Sequence, residues 1–253
     1  MSNDTKTKIH ECPNCKRTFP AIEKSSDPIT AYELDVSSGS CPYCRTHLKK
    51  YRLKPTNADP SAAGRINPEV EERMAPGWSS GLPETPCGKG SLPLYARSVG
   101  VAIPPLIRSL NIKTVNNVGA GDLAWMDAFN VEYHSGPGVW FRNYDIIRWV
   151  PSVTLLDITE ERPPNCDLAI CRDVMIHLTD REVSCAIRNL FKSSRWVLAT
   201  TYDVERNDDL DLAKRPHREI NLQEPPWSIG ETKGKIADHV PGKYLGLWEG
   251  GLK

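Results

Sequence analysis

Four cysteines near the start of the chain form the most specific chemical pattern in the sequence. Cys12 and Cys15 make one Cys-x-x-Cys pair, and Cys41 and Cys44 make a second. Each pair can direct two thiolates at one ion, and two such pairs complete a tetrahedral four-thiolate site. The spacing predicts a structural Zn²⁺ site in a zinc ribbon. A redox dithiol is the alternative, although a single pair would suffice for that chemistry.

A Gly-x-Gly turn is the second pattern with a chemical use. An apolar run that ends at Val118 is followed by Gly119, Gly121 and Asp122, and then by a helical pattern. Glycines let the backbone approach a ligand closely, and a helix N-terminus offers unpaired amides to a negatively charged group. The order strand, glycine turn, helix therefore predicts a nucleotide-like ligand at this turn.

Two acidic residues after the turn fit the same ligand. Asp145 ends the second predicted strand, where nucleotide-binding sheets place a carboxylate that holds ribose hydroxyls. Asp157 and Ile158 end the third predicted strand, and the carboxylate there is well placed for an adenine amino group. An NAD-type oxidoreductase stays open, because Ala124 is tolerated where dinucleotide enzymes have a third glycine.

Candidate catalytic groups follow the fourth predicted strand. Cys171, Arg172 and Asp173 lie at its end, and open α/β sheets bind ligands at the carboxyl ends of their strands. Asp173 or His177 could orient an acceptor molecule or remove its proton. Covalent attack by Cys171 on a pyrimidine is an alternative, but Ile170 stands where cytosine-5 enzymes usually have proline.

The elements that must position these residues alternate between strands and helices. A helix is predicted over residues 94–110, interrupted at Pro104 and Pro105, and another begins after Thr179, which can form a capping box with Glu182. Strands are predicted at residues 112–118, 139–147, 153–158, 167–171, 195–202 and 244–248. The alternation predicts an α/β fold with a Rossmann-like, mostly parallel sheet and helices on both faces, preceded by a small zinc-ribbon module.

Composition divides the chain into three parts. Residues 1–53 contain the cysteine pairs and are interpreted as the zinc ribbon. Residues 54–93 are rich in Pro, Gly and Ser and are interpreted as a linker and substrate-side loops. The α/β pattern occupies residues 94–253.

Charge and hydropathy limit the partners of the chain. Lys+Arg and Asp+Glu both number 32, so the chain as a whole has no global attraction for nucleic acid. Residues 45–54 are locally basic and predict nucleic-acid contact through the ribbon, with a solvated surface as the alternative. No apolar run approaches the ~18 residues of a membrane span, and the polar start is not a signal peptide. Paired and scattered cysteines indicate a reducing, cytoplasmic location.

Three motifs together resemble class I S-adenosylmethionine-dependent methyltransferases, in particular a bacterial and phage group. The motifs are Val118-Gly119-Ala120-Gly121-Asp122-Leu123-Ala124-Trp125-Met126, Cys171-Arg172-Asp173 with His177-Leu178, and Asn221-Leu222-Gln223-Glu224-Pro225-Pro226-Trp227. The resemblance covers residues 77–253 and leaves the ribbon unexplained. The chain departs from many members in having Asn116 and Asn117 where they have an acid.

The resemblance implies roles for individual residues. Gly119, Gly121 and Asp122 would surround the methionine part of the cofactor, Asp145 would hold the ribose hydroxyls, and Asp157 with Ile158 would flank the adenine. The cofactor-binding residues predicted in this way are Asn117, Gly119, Gly121, Asp122, Trp125, Asp145, Asp157, Ile158 and Arg172.

The sequence therefore predicts an S-adenosylmethionine-dependent methyltransferase with a nucleic-acid or nucleotide acceptor. Tyr202 and Trp227, which follow the fifth strand, could stack an acceptor base, although core packing would explain both equally well. The alternative from another class is a degenerate methyltransferase fold that binds through its ribbon without catalysis.

Overall fold

A computed structural model describes residues 8–11, 18–21, 85, 87–210 and 217–252. The chain divides into two units, Met1–Ala62 and Ala63–Lys253. The cysteine pairs and the basic residues 45–54 lie outside the described residues, so the zinc site and the ribbon's contact with nucleic acid stay predictions. The predicted domain bounds at 53/54 and 93/94 stay predictions as well.

The first unit contributes one described feature, an antiparallel strand pair. Strand β1 is Lys8–Glu11 and strand β2 is Thr18–Ala21, and their register pairs Glu11 with Thr18. The two strands therefore flank, in sequence, the segment that holds the first Cys-x-x-Cys pair.

Within the described part of the second unit, seven strands form one sheet. They are β3 Thr114–Val118, β4 Trp140–Asp145, β5 Val153–Leu155, β6 Cys166–Cys171, β7 Ser194–Tyr202, β8 Gly234–Ala237 and β9 Lys243–Glu249. Their order is β5-β4-β3-β6-β7-β9-β8, and β9 runs antiparallel to both of its neighbours while the other pairings are parallel. This is the predicted Rossmann-like sheet. The chain leaves β3 toward β4 on one side and returns to β6 on the other, which makes the end of β3 a topological switch point.

Helices cover both faces of the sheet, as predicted. They are α1 Pro93–Ser109, α2 Ala124–Ala128, α3 Val131–Ser135 and α4 Asp180–Ser193, with 3₁₀ turns at Lys89–Ser91 and Met175–His177. Alternate residues of β6 belong to different cores: Leu168 and Ile170 pack in the core that includes α1, whereas Ala169 and Cys171 pack in the core that includes α4. Because successive side chains of a strand point to opposite faces, the two helices lie on opposite sides.

Two local predictions for the helices have different outcomes. The capping box that begins α4 is present, with Thr179 Oγ1 accepting from the Glu182 amide and the Glu182 carboxylate accepting from the Thr179 amide. The predicted break of the first helix is wrong, because α1 continues through Pro104 and Pro105. Proline removes an amide donor but has a helical φ, and the complete burial of Ile103 and Ile107 offsets the lost hydrogen bonds.

Strand β8 has no counterpart in the sequence-based prediction. Its residues alternate between half-buried and exposed, and Gly234 and Lys235 give it little strand character. Strand β8 forms because its backbone pairs antiparallel with β9 at the edge of the sheet. No helix within the described ranges has the length and hydropathy needed to span a bilayer.

Candidate functional site

A cavity of about 430 Å³ lies at the carboxyl ends of the parallel strands. It is lined by the turn after β3, by the ends of β4, β5 and β6, and by residues 87–91. Nine of the eleven predicted cofactor and catalytic residues line it: Gly119, Gly121, Trp125, Asp145, Asp157, Ile158, Arg172, Asp173 and His177. The fold therefore brings these nine predicted residues to one place, although they lie on four separate segments of the chain.

The glycine turn after β3 has the backbone that only glycine adopts readily. Gly119 and Gly121 have φ of 71° and 58°. A Cβ at Gly119 would lie 1.9 Å from Cγ2 of Val174, so this glycine also allows the segment after β6 to pack against the turn. The Gly121 amide donates to Oδ2 of Asp145 over 2.8 Å, which ties the turn to the end of β4.

Asp145 is a carboxylate held by backbone amides. Besides Gly121, the Ile147 amide donates to it, at 3.1 Å from Oδ1. Burial raises the pKa of Asp145 to about 6 against the lowering effect of these hydrogen bonds. No cation forms an ion pair with it within the described residues. The carboxylate is thus ionised at neutral pH and still has lone pairs for donors of a ligand.

Asp157, at the end of β5, has a similar environment. It is almost fully buried, and its Oδ1 accepts from the Thr159 amide at 2.8 Å and from the Thr159 hydroxyl at 2.7 Å. Ile158 is buried beside it, and its carbonyl accepts from the amide group of Asn189 on α4. Hydrogen bonds to Asp157 Oδ2 are absent among the described residues, so this oxygen can accept from a ligand.

Two predicted cofactor residues do not line the cavity. The Asn117 side chain is buried under the turn and donates to Oδ1 of Asn143 on β4, 3.0 Å away, with Sδ of Met126 at 2.9 Å. Asp122 accepts from the Ala124 amide at the start of α2. Both residues stabilise the turn, and a direct contact of either with a cofactor stays a prediction.

A cluster of four charged side chains, three of them almost fully buried, lies at the other end of the cavity. The Arg172 guanidinium lies 3.2 Å from Asp238 and 3.6 Å from Asp173, and the Lys243 ammonium lies 2.8 Å from Asp173 and 3.2 Å from Asp238. Each carboxylate therefore touches both cations. We call Arg172, Asp173, Asp238 and Lys243 the four-charge cluster; its formal charges sum to zero.

The two carboxylates of the four-charge cluster are held ionised. Burial alone would raise the pKa of Asp173, but Arg172 and Lys243 bring it below its ordinary value. The pKa of Asp238 is lowered by the same two cations against its burial. Thr200 fixes Asp173 further, accepting from its amide and donating to its carboxylate. A carboxylate with a lowered pKa orients a donor well but is a weak proton acceptor.

The remaining predicted residues fall on different sides of the cavity. His177 ends the 3₁₀ turn after β6, and its ring lies 6.0 Å from that of His217, which also lines the cavity. Trp125 lies under the Arg172 guanidinium at 5.5 Å. Tyr202 lines the cavity, whereas Trp227 does not and instead packs against Arg218 at 5.4 Å, so the two aromatic side chains do not form a stacking pair.

The sequence analysis did not assign several cavity residues to the site. Cys87 and residues 89–91 lie in the Pro-rich stretch. His239 lies between β8 and β9, and Lys243 begins β9. The Cys87 thiol packs against the glycine turn, so that a Cβ on Gly121 would lie 3.0 Å from Sγ of Cys87. Burial raises the pKa of the Cys87 thiol well above its ordinary value. Of these residues, only Lys243 had a feature in the sequence that could have indicated a role in the site, because it is a lysine at the start of an apolar strand.

Known proteins add little to this geometry. No protein-family model matches the chain, and no curated protein matches it either. Human N-acetylserotonin methyltransferase, solved with SAM, is similar at 15% identity and a TM-score of 0.44, over 60% of this chain and 52% of that one. The mitomycin 7-O-methyltransferase MmcR is similar at 13% identity and a TM-score of 0.45, over 62% and 53%.

A third solved structure gives the same level of likeness. It is CalO1, a methyltransferase in calicheamicin biosynthesis solved in its SAH-bound form, at 14% identity and a TM-score of 0.40, over 59% of this chain and 53% of that one. The chain spans about half the length of each of these three proteins. With every TM-score below 0.5, the fold assignment rests on the strand order of the chain itself.

Proposed function

We propose that the protein is an S-adenosylmethionine-dependent methyltransferase. The observation that carries the proposal is a pair of carboxylates that face one cavity beside a glycine turn: the half-buried Asp145, which ends β4, and the buried Asp157, which follows the adjacent β5. Neither has a cationic partner among the described residues, so both keep acceptor capacity for a neutral, donor-rich ligand such as an adenosyl group.

The residues around the cavity fit this cofactor in size and chemistry. A volume of about 430 Å³ is in the range of small-molecule sites. Asp145 would accept from ribose hydroxyls, and Asp157 from the adenine amino group. Nε of Arg172 is buried without a hydrogen-bond partner among the described residues, which supports its predicted contact with the cofactor's carboxylate.

The cofactor supplies a methyl group on a sulfonium, and the protein's task is to align the acceptor and exclude water. Asp173 and His177 are the proposed acceptor-side residues. Asp173, ionised and fixed by Lys243 and Thr200, would accept a hydrogen bond from the acceptor and orient it. His177 would orient the acceptor or take its proton.

Calorimetric titration with S-adenosylmethionine and S-adenosylhomocysteine tests the proposal. We expect micromolar binding of both compounds to the wild-type protein and at least a tenfold weaker affinity in Asp157→Ala. Asp203→Asn, a change of an exposed acid, is the matched control and should bind like the wild type. Absence of binding of either compound would overturn the proposal and leave a degenerate domain with the ribbon as its functional part.

The proposed acceptor is a nucleotide or a nucleic acid. Support comes from the basic residues 45–54 of the sequence and from Lys89 and His217, which line the cavity. Transfer of labelled methyl to DNA, RNA and ribonucleotides, compared with transfer to unrelated proteins, tests this choice. Labelling of protein alone would contradict it.

We also propose a structural Zn²⁺ held by Cys12, Cys15, Cys41 and Cys44. The antiparallel register of β1 and β2 supports it, because a strand pair that flanks a Cys-x-x-Cys segment suits a zinc knuckle. Elemental analysis should find about one Zn²⁺ per chain. Cys41→Ser should lose the metal, whereas Cys185→Ser on α4 should retain it.

A cytoplasmic location is part of the same proposal. Cys87, Cys166, Cys171 and Cys185 are free thiols, which suits a reducing compartment.

A further inference from the structure

Tyr202 brings to the cavity a hydroxyl group that has no hydrogen-bond partner among the described residues. It is the last residue of β7, at the carboxyl edge of the parallel strands, and it lines the cavity. Its ring belongs to a hydrophobic core and is only 8% exposed, so little of the ring face is accessible for stacking on a base. The hydroxyl is therefore the part of this side chain that is available to a ligand.

The strand register places Tyr202 beside the four-charge cluster. Tyr202 is directly opposite Lys243 in the antiparallel pairing of β7 and β9, and directly opposed side chains are neighbours. The Lys243 ammonium lies 2.8 Å from Asp173. Thr200, two residues before Tyr202 on β7, donates to the same carboxylate. Tyr202 and Asp173 therefore line the same end of the cavity.

The phenol of Tyr202 and the carboxylate of Asp173 have opposite hydrogen-bonding roles. Burial raises the pKa of Tyr202 well above its ordinary value, and the carboxylates of Asp173, Glu219 and Asp238 raise it further. The phenol thus keeps its proton and can donate it to a hydrogen bond. Asp173 is held ionised by the cations of the four-charge cluster and can only accept. The protein therefore offers a neutral donor and an anionic acceptor at one end of the cavity.

The cations of the four-charge cluster are already engaged. The Lys243 ammonium contacts Asp173 and Asp238, and the Arg172 guanidinium contacts the same two carboxylates. The remaining Nε of Arg172 is the proposed contact of the cofactor's carboxylate. Compared with these cations, Tyr202 has its full donor capacity left for an acceptor molecule, and a neutral hydroxyl suits a neutral ring.

We propose that Tyr202 determines the specificity for the acceptor: its hydroxyl donates to a ring nitrogen or carbonyl oxygen of a nucleobase, while Asp173 accepts from the neighbouring N–H group. This inference rests on the proposed function and specifies how its nucleotide acceptor is recognised. Nucleobases carry a donor and an acceptor side by side on their Watson–Crick edges. A ring without one of the two atoms would leave a protein group unpaired, and sites built on such hydrogen bonds discriminate strongly against analogues that lack them.

Titration of the S-adenosylhomocysteine-loaded protein with ribonucleoside 5′-monophosphates tests the inference without turnover. Tyr202→Phe removes only the hydroxyl, and we expect it to bind the preferred nucleotide about 10- to 100-fold more weakly, because a ring atom would lose its donor. Tyr244→Phe is the matched control, since it removes the hydroxyl of another buried tyrosine, which donates to Gln223 instead. This control should bind the nucleotide like the wild type, and both variants should bind S-adenosylhomocysteine like the wild type.

A nucleotide with an altered acceptor atom distinguishes recognition by Tyr202 from a structural role. The analogue is the monophosphate of 1-deazaadenosine, 3-deazacytidine, 4-thiouridine or 6-thioguanosine, according to the preferred base. The wild type should bind the analogue more weakly than the parent nucleotide, and Tyr202→Phe should bind the two alike. Equal binding of parent and analogue by the wild type, or unchanged discrimination in Tyr202→Phe, would overturn the inference.

The same titrations separate this inference from the proposed function. Failure of the wild type to bind S-adenosylhomocysteine would overturn the proposed function. Binding of S-adenosylhomocysteine without binding of any nucleotide would overturn this inference and leave the methyltransferase proposal standing.

Discussion

The two ends of the cavity hold buried carboxylates in opposite ways. Asp145 and Asp157 are held by backbone amides and a neutral hydroxyl, and burial raises the pKa of Asp145 to about 6. Asp173 and Asp238 are held by Arg172 and Lys243, and their pKa values are lowered. An aspartate at the first end therefore has oxygens that can accept hydrogen bonds from a neutral ligand. An aspartate at the second end is an anion whose oxygens are held by cations of the protein. The partner of an aspartate, rather than its burial, thus decides what the carboxylate can do.

Removal of Lys243 should have the largest effect on stability. In Lys243→Ala, Arg172 alone would face two buried carboxylates, and loss of one partner of a buried ion pair costs about 3–5 kcal/mol. Urea unfolding of the zinc-loaded protein measures the loss. Lys235→Ala, which removes an exposed lysine of the neighbouring strand, should change the free energy of unfolding by less than about 1 kcal/mol. Equal losses in the two variants would mean that the four-charge cluster does not stabilise the fold.

Asp145→Asn should have the next largest effect, on binding rather than on stability. Hydrogen bonds to a charged group contribute about 1.5–3 kcal/mol, so we expect the Kd for S-adenosylmethionine to rise about 10- to 100-fold. Calorimetry measures the change, with Asp203→Asn as the control. A variant that binds like wild type would show that Asp145 is not a ligand of the ribose.

Acidic pH should weaken cofactor binding through Asp145. Because its pKa in the free protein is raised to about 6, the carboxylate takes up a proton as the pH falls from 7 through 6, and a protonated acid accepts ribose hydroxyls poorly. We expect up to about a tenfold increase in Kd for each pH unit below the pKa. In Asp145→Asn this dependence should disappear, and its persistence would assign the titration to another group.

A matched pair of hydroxyl deletions should give the smallest effects. Thr200→Val removes a donor to Asp173, and Thr159→Val removes a donor to Asp157. We expect the first to lower the free energy of unfolding by about 1–2 kcal/mol without a change in cofactor affinity, since Thr200 is fully buried. The second should raise the Kd a few-fold and cost less than about 1 kcal/mol, because the Thr159 amide still holds Asp157. Equal changes in the free energy of unfolding and in Kd for the two variants would show that the two ends of the cavity do not hold their carboxylates differently.

Short-range patterns were enough to predict the end of the cavity that the glycine turn, Asp145 and Asp157 line. The turn at Gly119 and Gly121, and the acids that end β4 and β5, each follow a strand within a few residues. Since the carboxyl ends of parallel strands meet at one edge, a strand-by-strand reading of the sequence predicts which side chains converge there. Asn117 and Asp122 stand at the same turn without lining the cavity, because spacing along the chain does not tell which side chains of a turn face the cavity, and their contact with a cofactor stays a prediction.

Of the four-charge cluster, only Arg172 and Asp173 could be predicted in this way, because they follow β6. The four-charge cluster joins the end of β6 to the β8–β9 hairpin, with no local signature at Asp238 or His239. Helix α1 likewise runs through Pro104 and Pro105 because tertiary burial outweighs local propensity.

The sequence by itself determined the class of the fold, the glycine turn and the acids beside it, since periodicity and strand-end position are local properties. Only the tertiary structure decided which charges pair and which aspartates stay free for a ligand. The physical reason is that ion pairing and desolvation depend on neighbours distant in sequence, and those neighbours are set by the order of strands in the sheet.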